Sequence, residues 1–284
     1  MGILNVTPDS FSDGGKYADS HAAAAHALRM AGEGADLIDM GAESSRPGSS
    51  PVRASEQLRR LLPVLKRFRQ HDSRTPVSID TCAAKVAEAC LAEGATTIND
   101  ISALRRDAAM VKLLAKSDCD IVLMHLRGTP RTMQRNPVYA DVVSSILQFF
   151  EQRMAFCGRA GIAHRRLILD PGIGFGKTGG HNIEILQRLS EFQLFGRPLL
   201  IGVSRKNFLG ALTGERDPAR RDSASIAAAL YAASKGASIV RVHDVPGHVA
   251  AFKIAAELAD RRRSTDSDYW FARIERAATA KNAR

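Results

Sequence analysis

Residues 77–100 read VSIDTCAAKVAEACLAEGATTIND, and this stretch contains the unit from which the chain is built. An apolar run, Val77-Ser78-Ile79, stops at Asp80. Residues 83–93 carry good helix formers with apolar positions at helical spacing, Gly94 follows, and Thr96-Thr97-Ile98 stops at Asn99-Asp100. An antiparallel strand with one wet face alternates apolar and polar residues, whereas a parallel strand buried on both faces reads as an unbroken apolar run. A glycine just past a helix supplies the residue that tolerates positive φ. The stretch therefore reads as strand, helix, parallel strand.

The same unit recurs in both directions. Runs toward the N-terminus end at Asn5 and Asp39; runs toward the C-terminus end at His125, at Asp170, at Ser204-Arg205-Lys206 and at Arg241-Val242-His243. Between the runs, helical spacing predicts helices over 22–33, 55–68, 83–93, 108–116, 142–161, 182–192, 223–235 and 247–259, several of them stopped by Gly34, Gly94, Gly161 and Gly236. Eight alternations predict a single α/β domain, a (β/α)8 barrel over residues 1–260, with 261–284 a basic tail that is helical in part. In such a barrel the residues at the strand C-termini converge on one mouth, which makes the strand-end polar residues candidate site residues.

Composition narrows the alternatives. With 45% hydrophobic and 25% charged residues the chain reads as an ordinary globular protein. No apolar stretch approaches the roughly 18 residues of a membrane span, and Met1 runs directly into the first strand without a secretory signal, so a cytoplasmic location is expected. Cys82, Cys90, Cys119 and Cys157 lack metal-ligand spacing and read as reduced structural thiols. The net charge of +10 raises nucleic acid as a partner, but the excess sits in residues 53–74 and in the tail. Neither stretch interleaves aromatics as single-strand binders do, so no nucleic-acid partner is expected. A positive field also speeds capture of anionic substrates.

The segments Gly2-Ile3-Leu4-Asn5-Val6-Thr7-Pro8-Asp9-Ser10-Phe11-Ser12-Asp13-Gly14-Gly15 and Asp39-Met40-Gly41-Ala42-Glu43-Ser44-Ser45-Arg46-Pro47-Gly48 resemble the two signatures of the dihydropteroate synthase family. The likeness continues through Ser78-Ile79-Asp80-Thr81, Ile98-Asn99-Asp100-Ile101, Met124-His125, the run from Asp170 to Lys177, Gly202-Val203-Ser204-Arg205-Lys206 and Arg241-Val242-His243-Asp244-Val245, one segment per strand. The resemblance implies an enzyme that joins 4-aminobenzoate to 6-hydroxymethyl-7,8-dihydropterin pyrophosphate, releasing pyrophosphate and 7,8-dihydropteroate. It also implies sulfonamides as competitors and a homodimer through the last helices.

The residue types suit that chemistry. A pterin edge presents ring N–H and amine donors that a carboxylate accepts in pairs, the role the resemblance gives Asp170. Asn99 both donates and accepts, Lys206 contacts the pterin beside the aminobenzoate, and Ile101, Met124 and Gly202 wall the slot. Arg241 brings a planar fork to phosphate oxygens with His243 two residues on, and Asn5 supplies an oxygen for Mg2+, which keeps waters and needs few protein ligands. Asp80 is expected to stabilise positive charge on the departing methylene carbon, with Asp80, Lys206, Arg241 and His243 as the catalytic set. No covalent nucleophile is needed, and Cys82 has no histidine arrangement to activate it.

The loops over 6–17 and 41–51 are long, rich in glycine and serine, and placed at the mouth. By resemblance they close over bound pterin pyrophosphate and complete the second site. Phe11, Pro47 and Phe175 form its apolar walls, Ser45 and Arg46 contact ligand, Ser45 touches pyrophosphate, and Asn207 with Lys206 receives the aminobenzoate carboxylate. Departures from the family pattern are Ser45 for threonine, Asn207 for serine, and a start inside the first strand, so that either the barrel bottom is expected to be less well plugged or residues before Met1 are missing. Rival readings are a catalytically silent pterin-binding paralogue, the pterin barrel of a folate-dependent methyltransferase, and a nucleic-acid-binding barrel.

Overall fold

The computed structural model of the protein describes residues 1–7, 15–44 and 48–260. Its strands are β1 (Gly2–Asn5), β2 (Ile38–Gly41), β3 (Val77–Asp80), β4 (Thr97–Asp100), β5 (Asp120–Met124), β6 (Leu167–Asp170), β7 (Leu200–Ile201) and β8 (Ile239–Val240). The helices that follow them are α1 (Gly15–Gly32), α2 (Ala54–His71), α3 (Ala84–Ala92), α4 (Ala108–Ala115), α5 (Val142–Arg159), α6 (Gly179–Gln187), α7 (Asn207–Thr213), α8 (Asp222–Ser234) and α9 (Val245–Asp260).

Strands β1 to β6 pair in parallel in sequence order, and β7 pairs with β8. Parallel bridges between Leu169 and Leu199 and between Gly2 and Val242 join the two sheets at both edges. The amide of Ile3 donates to Val242 O and that of Val242 to Met1 O, each at 2.9 Å, so the ring of eight is closed. The fold is a (β/α)8 barrel.

Register sorts the side chains. Ile79, Ile98 and Ile121 face the helices in the main core, whereas Val122, Ile168, Leu200 and Met1 form a separate cluster inside the barrel. Asn5, Gly41, Asp80, Asn99, Val122 and Ile168 lie in register across six strands. Those residues share the inner face, so the polar members of that row stand above an apolar floor. On the outside, α2 buries Gln57, Leu61, Val64, Leu65 and Phe68, the spacing of one helical face.

The helix stops expected at Gly34, Gly94, Gly161 and Gly236 all adopt positive φ. Three details differ from the sequence reading. Helix α1 starts seven residues before the predicted boundary, because the polar stretch from Gly15 to His21 has no apolar periodicity to reveal it. The helix predicted over 182–192 is α6 followed by a 3-10 segment, Leu189–Phe195, ended by Gly196 at φ 58°. Helix α7, seven residues long, escaped the pattern altogether. A cavity of about 760 Å³ opens at the N-terminal ends of the strands, lined by Met1, Leu37, Pro76, Thr96, Ile168 and Phe252. The basic tail over 261–284 lies outside the described residues.

Candidate active site

At the opposite end, each strand delivers a polar group. Asp39 is fully buried; its Oδ2 accepts from Arg241 Nε at 2.6 Å and from Asn99 Nδ2 at 3.2 Å. Arg241 also donates through its NH2 nitrogen to Asp80 Oδ2 at 3.3 Å. Strands β2, β3 and β4 and the end of β8 thus meet in one network. Gly41 makes it possible, since a Cβ there would stand 3.3 Å from Asp80 Cβ. Burial, then the neighbouring Asp39 charge, push the Asp80 carboxyl well above the carboxylate range. Arg241 is held charged by Asp39 and Asp80 against the cost of its own burial. Two oxygens of the network, Asp39 Oδ1 and Asn99 Oδ1, are buried without a protein partner.

Across the mouth, Asp170 ends β6 at 6% exposure. Its Oδ1 accepts from the amide of Gly172 at 2.7 Å, and burial raises its pKa to about 6 against the pull of Lys206, Lys177 and Arg241. Lys206 Nζ stands 4.2 Å from the centre of the Phe175 ring, and burial with the Arg241 charge lowers its pKa to about 8. Met124 belongs to a small cluster with Leu126 and Met133, on which Ile101 and Phe175 pack, so the expected pterin and aminobenzoate walls are neighbours. A Cβ on Gly202 would meet nothing within 4 Å, which places open space beside β7.

The Lys206 turn is held from behind. Arg205 sits at φ 59°, its amide donates to Ser225 Oγ, and its guanidinium forks onto Asp222 through two 2.8 Å bonds. His243 Nδ1 lies 3.0 Å from Ser204 Oγ, which fastens the residue after β8 to the end of β7. Asn207 is the first residue of α7 and its oxygen accepts from Arg221 at 3.1 Å. Asn207 makes no capping bond; Lys206 occupies the cap position, also without a side-chain bond.

Other expectations find their places. Arg241 pairs with Asp39 and Asp80, while Asp244 accepts from the amide of Gly247 at the start of α9. Asp100 likewise serves its own loop, accepting from Ser102 and Leu104. Phe11, Ser45, Arg46 and Pro47 lie outside the described residues, but the root of the second loop is visible: Glu43 accepts from Gln57 at 2.7 Å and from Arg106 at 3.0 Å. Sequence reasoning gave no role to Asp39, Ser204 or Gln57. Asp39 and Ser204 were marked by their strand-end positions; nothing in the local pattern marks Gln57, a glutamine at 2% exposure on a helix face.

Elsewhere the basic face of α2 is partly neutralised, with Arg59 and Arg60 on Glu56 and Lys66 on Glu93. All four cysteines are free thiols.

The family model for pterin binding enzymes matches residues 1–243. The chain belongs to the pterin-binding enzyme family. Within this family it is 47% identical over 256 residues to the dihydropteroate synthase of Neisseria meningitidis serogroup C, covering 89% of this chain and 90% of that one. The dihydropteroate synthase of Yersinia pestis, solved with a sulfonamide drug complex, superposes with a TM-score of 0.86 at 44% identity over 92% of this chain and 94% of that one. The Xanthomonas albilineans enzyme, solved with 4-aminobenzoic acid, does so with a TM-score of 0.86 at 44% identity, covering 91% and 92%. The family match thus runs through every strand of the barrel.

Proposed function

We infer that the protein is a transferase of folate biosynthesis, a dihydropteroate synthase that joins the pterin methylene of 6-hydroxymethyl-7,8-dihydropterin pyrophosphate to the amine of 4-aminobenzoate. The observation that carries this reading is the pair of buried acceptors at the mouth, the Asp170 carboxylate and the partnerless Asn99 Oδ1. A pterin edge offers the N–H donors that such acceptors require. Met124, Ile101 and Gly202 form the slot's apolar and open sides, and Lys206 lies where pterin and aminobenzoate adjoin.

In the reaction the C–O bond breaks first and its electron pair leaves on the diphosphate. Arg241 uses two of its N–H groups on Asp39 and Asp80, which leaves the others of its planar fork for phosphate oxygens. His243 and Ser45 hold the same group. The Asp80 carboxylate, kept beside Arg241, stabilises positive charge on the methylene carbon. The arylamine nitrogen then forms the C–N bond and loses a proton to solvent. Lys206, Asn207, Arg46 and the walls Phe11, Pro47 and Phe175 hold the aminobenzoate, and a sulfonamide competes there. Because its oxygen is engaged by Arg221, Asn207 offers the amide nitrogen to the carboxylate.

Among the described residues no group of three carboxylate, histidine or cysteine side chains could hold a metal. The donor set fits only an ion that arrives on the diphosphate and keeps its waters, with Asn5 giving one oxygen. Held there by Asn5 and its waters, Mg2+ would neutralise charge on the leaving group. Exposed Leu212, Tyr231, Ile254 and Leu258 on α7, α8 and α9 support pairing with a second copy. Four free thiols, and the absence among described residues of a helix long and apolar enough to cross a membrane, support a cytoplasmic setting.

The test is a coupled assay with Mg2+, 4-aminobenzoate and the pterin pyrophosphate. Pyrophosphate release that is stoichiometric with dihydropteroate and dependent on aminobenzoate is expected; pterin binding without release would assign the chain to a silent paralogue.

A further inference from the structure

Lys177 is 3% exposed, and no step of the reaction described above employs it. Its Nζ donates to His125 Nδ1 at 3.0 Å, to His125 O at 3.3 Å and to Phe175 O at 2.9 Å. None of these three acceptors is a carboxylate, which is an uncommon setting for a buried ammonium. The partners lie at the end of β5 and in the loop after β6. That loop is pressed on β5: the amide of His125 donates to Asp170 O at 2.8 Å, and a Cβ on Gly172 would stand 2.1 Å from His125 O. Gly176 is similarly tight against Arg127 O.

The loop delivers two residues to the mouth, Asp170 at its root and Phe175 under Lys206. We propose that Lys177 is a positioning residue for both ligand sites: its ammonium pegs the 170–177 loop to β5 and sets a positive charge behind the Asp170 carboxylate that faces the pterin. The proposal deepens the pterin-slot reading and rests on it.

The surrounding charges are few and can be named. Asp170 feels Lys206, Lys177 and Arg241; Lys177 feels Asp170 and Lys206. His125 feels Lys177, Arg105 and Arg127, and burial with these cations lowers its pKa to about 2, so it stays neutral and its Nδ1 serves as acceptor. Burial lowers the Lys177 pKa to about 7, so the lysine is a cation throughout the range below that, where Asp170 titrates. Arg241 is committed to Asp39 and Asp80. Removing the Lys177 charge thus takes away one of three cations acting on Asp170 and moves its protonation to higher pH.

The experiment measures the affinity of 6-hydroxymethyl-7,8-dihydropterin by calorimetry from pH 5 to pH 9 for the wild type, Lys177→Gln and Lys177→Met, with circular dichroism as the check on folding. Glutamine keeps a donor for the loop carbonyls and loses the charge; methionine loses both. For Lys177→Gln the acid limb of the affinity profile should move up by roughly one pH unit, about tenfold weaker binding near pH 6, with the alkaline plateau little changed. Lys177→Met should show the same shift and a lowered plateau. Folded variants whose limb coincides with that of the wild type would overturn the proposal, as would loss of folding in both, which assigns Lys177 to the scaffold alone. A wild type with no pterin affinity at any pH would instead sink the slot reading.

Discussion

Arg241 Nε donates to Asp39 Oδ2 at 2.6 Å, a contact between residues 202 positions apart that ties the end of the last strand to the second across the barrel mouth. Asp39 is fully buried, so the pair has little water to share its charge. Breaking such a pair from one side leaves Arg241 with only its longer 3.3 Å contact to Asp80, at a cost of about 3 kcal/mol. Asp39→Ala should therefore lower the urea midpoint by that equivalent with an unchanged m-value. A midpoint equal to the wild type would show that Asp80 alone suffices to hold the Arg241 charge.

Asp170→Asn should keep the fold and weaken pterin binding. An amide cannot accept two donors as a carboxylate does, and a lost charged hydrogen bond costs about 2 kcal/mol, roughly thirtyfold in affinity. Calorimetry with 6-hydroxymethyl-7,8-dihydropterin reads this directly, and equal affinities would place the pterin elsewhere.

The pH dependence at Asp170 carries opposite signs for binding and stability. Its pKa rises from an ordinary 3.8 to about 6 in the folded protein because it is buried. Between those values the folded state holds the proton more tightly than the unfolded chain, so this group's contribution to apo stability falls as pH rises through that window. Pterin affinity should rise over the same window, because the ligand needs the carboxylate. Comparing unfolding of the wild type with Asp170→Asn at several pH values isolates the first effect. A difference that grows in the other direction would mean that Asp170 is stabilised, not strained, as an anion.

Aminobenzoate should bind weakly to the free protein and strongly once pyrophosphate, Mg2+ and a pterin are present. The first ligands would then have arranged the second site, to which Phe11, Ser45, Arg46 and Pro47 are assigned by resemblance, before the aminobenzoate arrives. Arg241→Ala should remove the enhancement. Equal affinity with and without pyrophosphate, in titrations of the wild type, would indicate a preformed second site.

Gly172→Ala should cost upwards of about 2 kcal/mol, since the residue sits at φ 70° and its new Cβ would collide with His125 O. Thermal unfolding tests it; a stability within a few tenths of the wild type would show that the loop can lift from β5.

The strand ends were legible because most runs are buried on both faces and stop where the chain reaches the mouth, as at Asp80 and Asn99. Their meeting followed from barrel topology alone. What the pattern could not reveal is which strand-end groups face a ligand and which serve the protein. Asp100 and Asp170 look alike in sequence, yet Asp100 closes its own turn with both carboxylate oxygens, on Ser102 and Leu104, while Asp170 uses Oδ1 alone, on Gly172. The partner of Arg241 was equally hidden. Asp244 is three residues away and Asp39 is at the other end of the chain, but the parallel register puts Asp39 on the inner face and turns Asp244 to the start of α9. Helix α7 was missed because seven residues are too few to establish a period.

The barrel wall is uneven. From β1 to β6 each neighbouring pair is zipped over three or four register positions, whereas β7 and β8 share two and meet the rest of the wall through single bridges at Leu199 and Val242. Lys206, Arg241 and His243 all hang from this thin side, while Asp170 and Asn99 stand on the thick one. In the proposed reading, a bound pterin pyrophosphate would reach across that division, gripping Asp170 with one edge and Arg241 with its phosphates. Substrate then acts as a rivet between two panels of unequal stiffness, and amide exchange along residues 199–201 and 239–242 should slow on binding more than anywhere in β2 to β5.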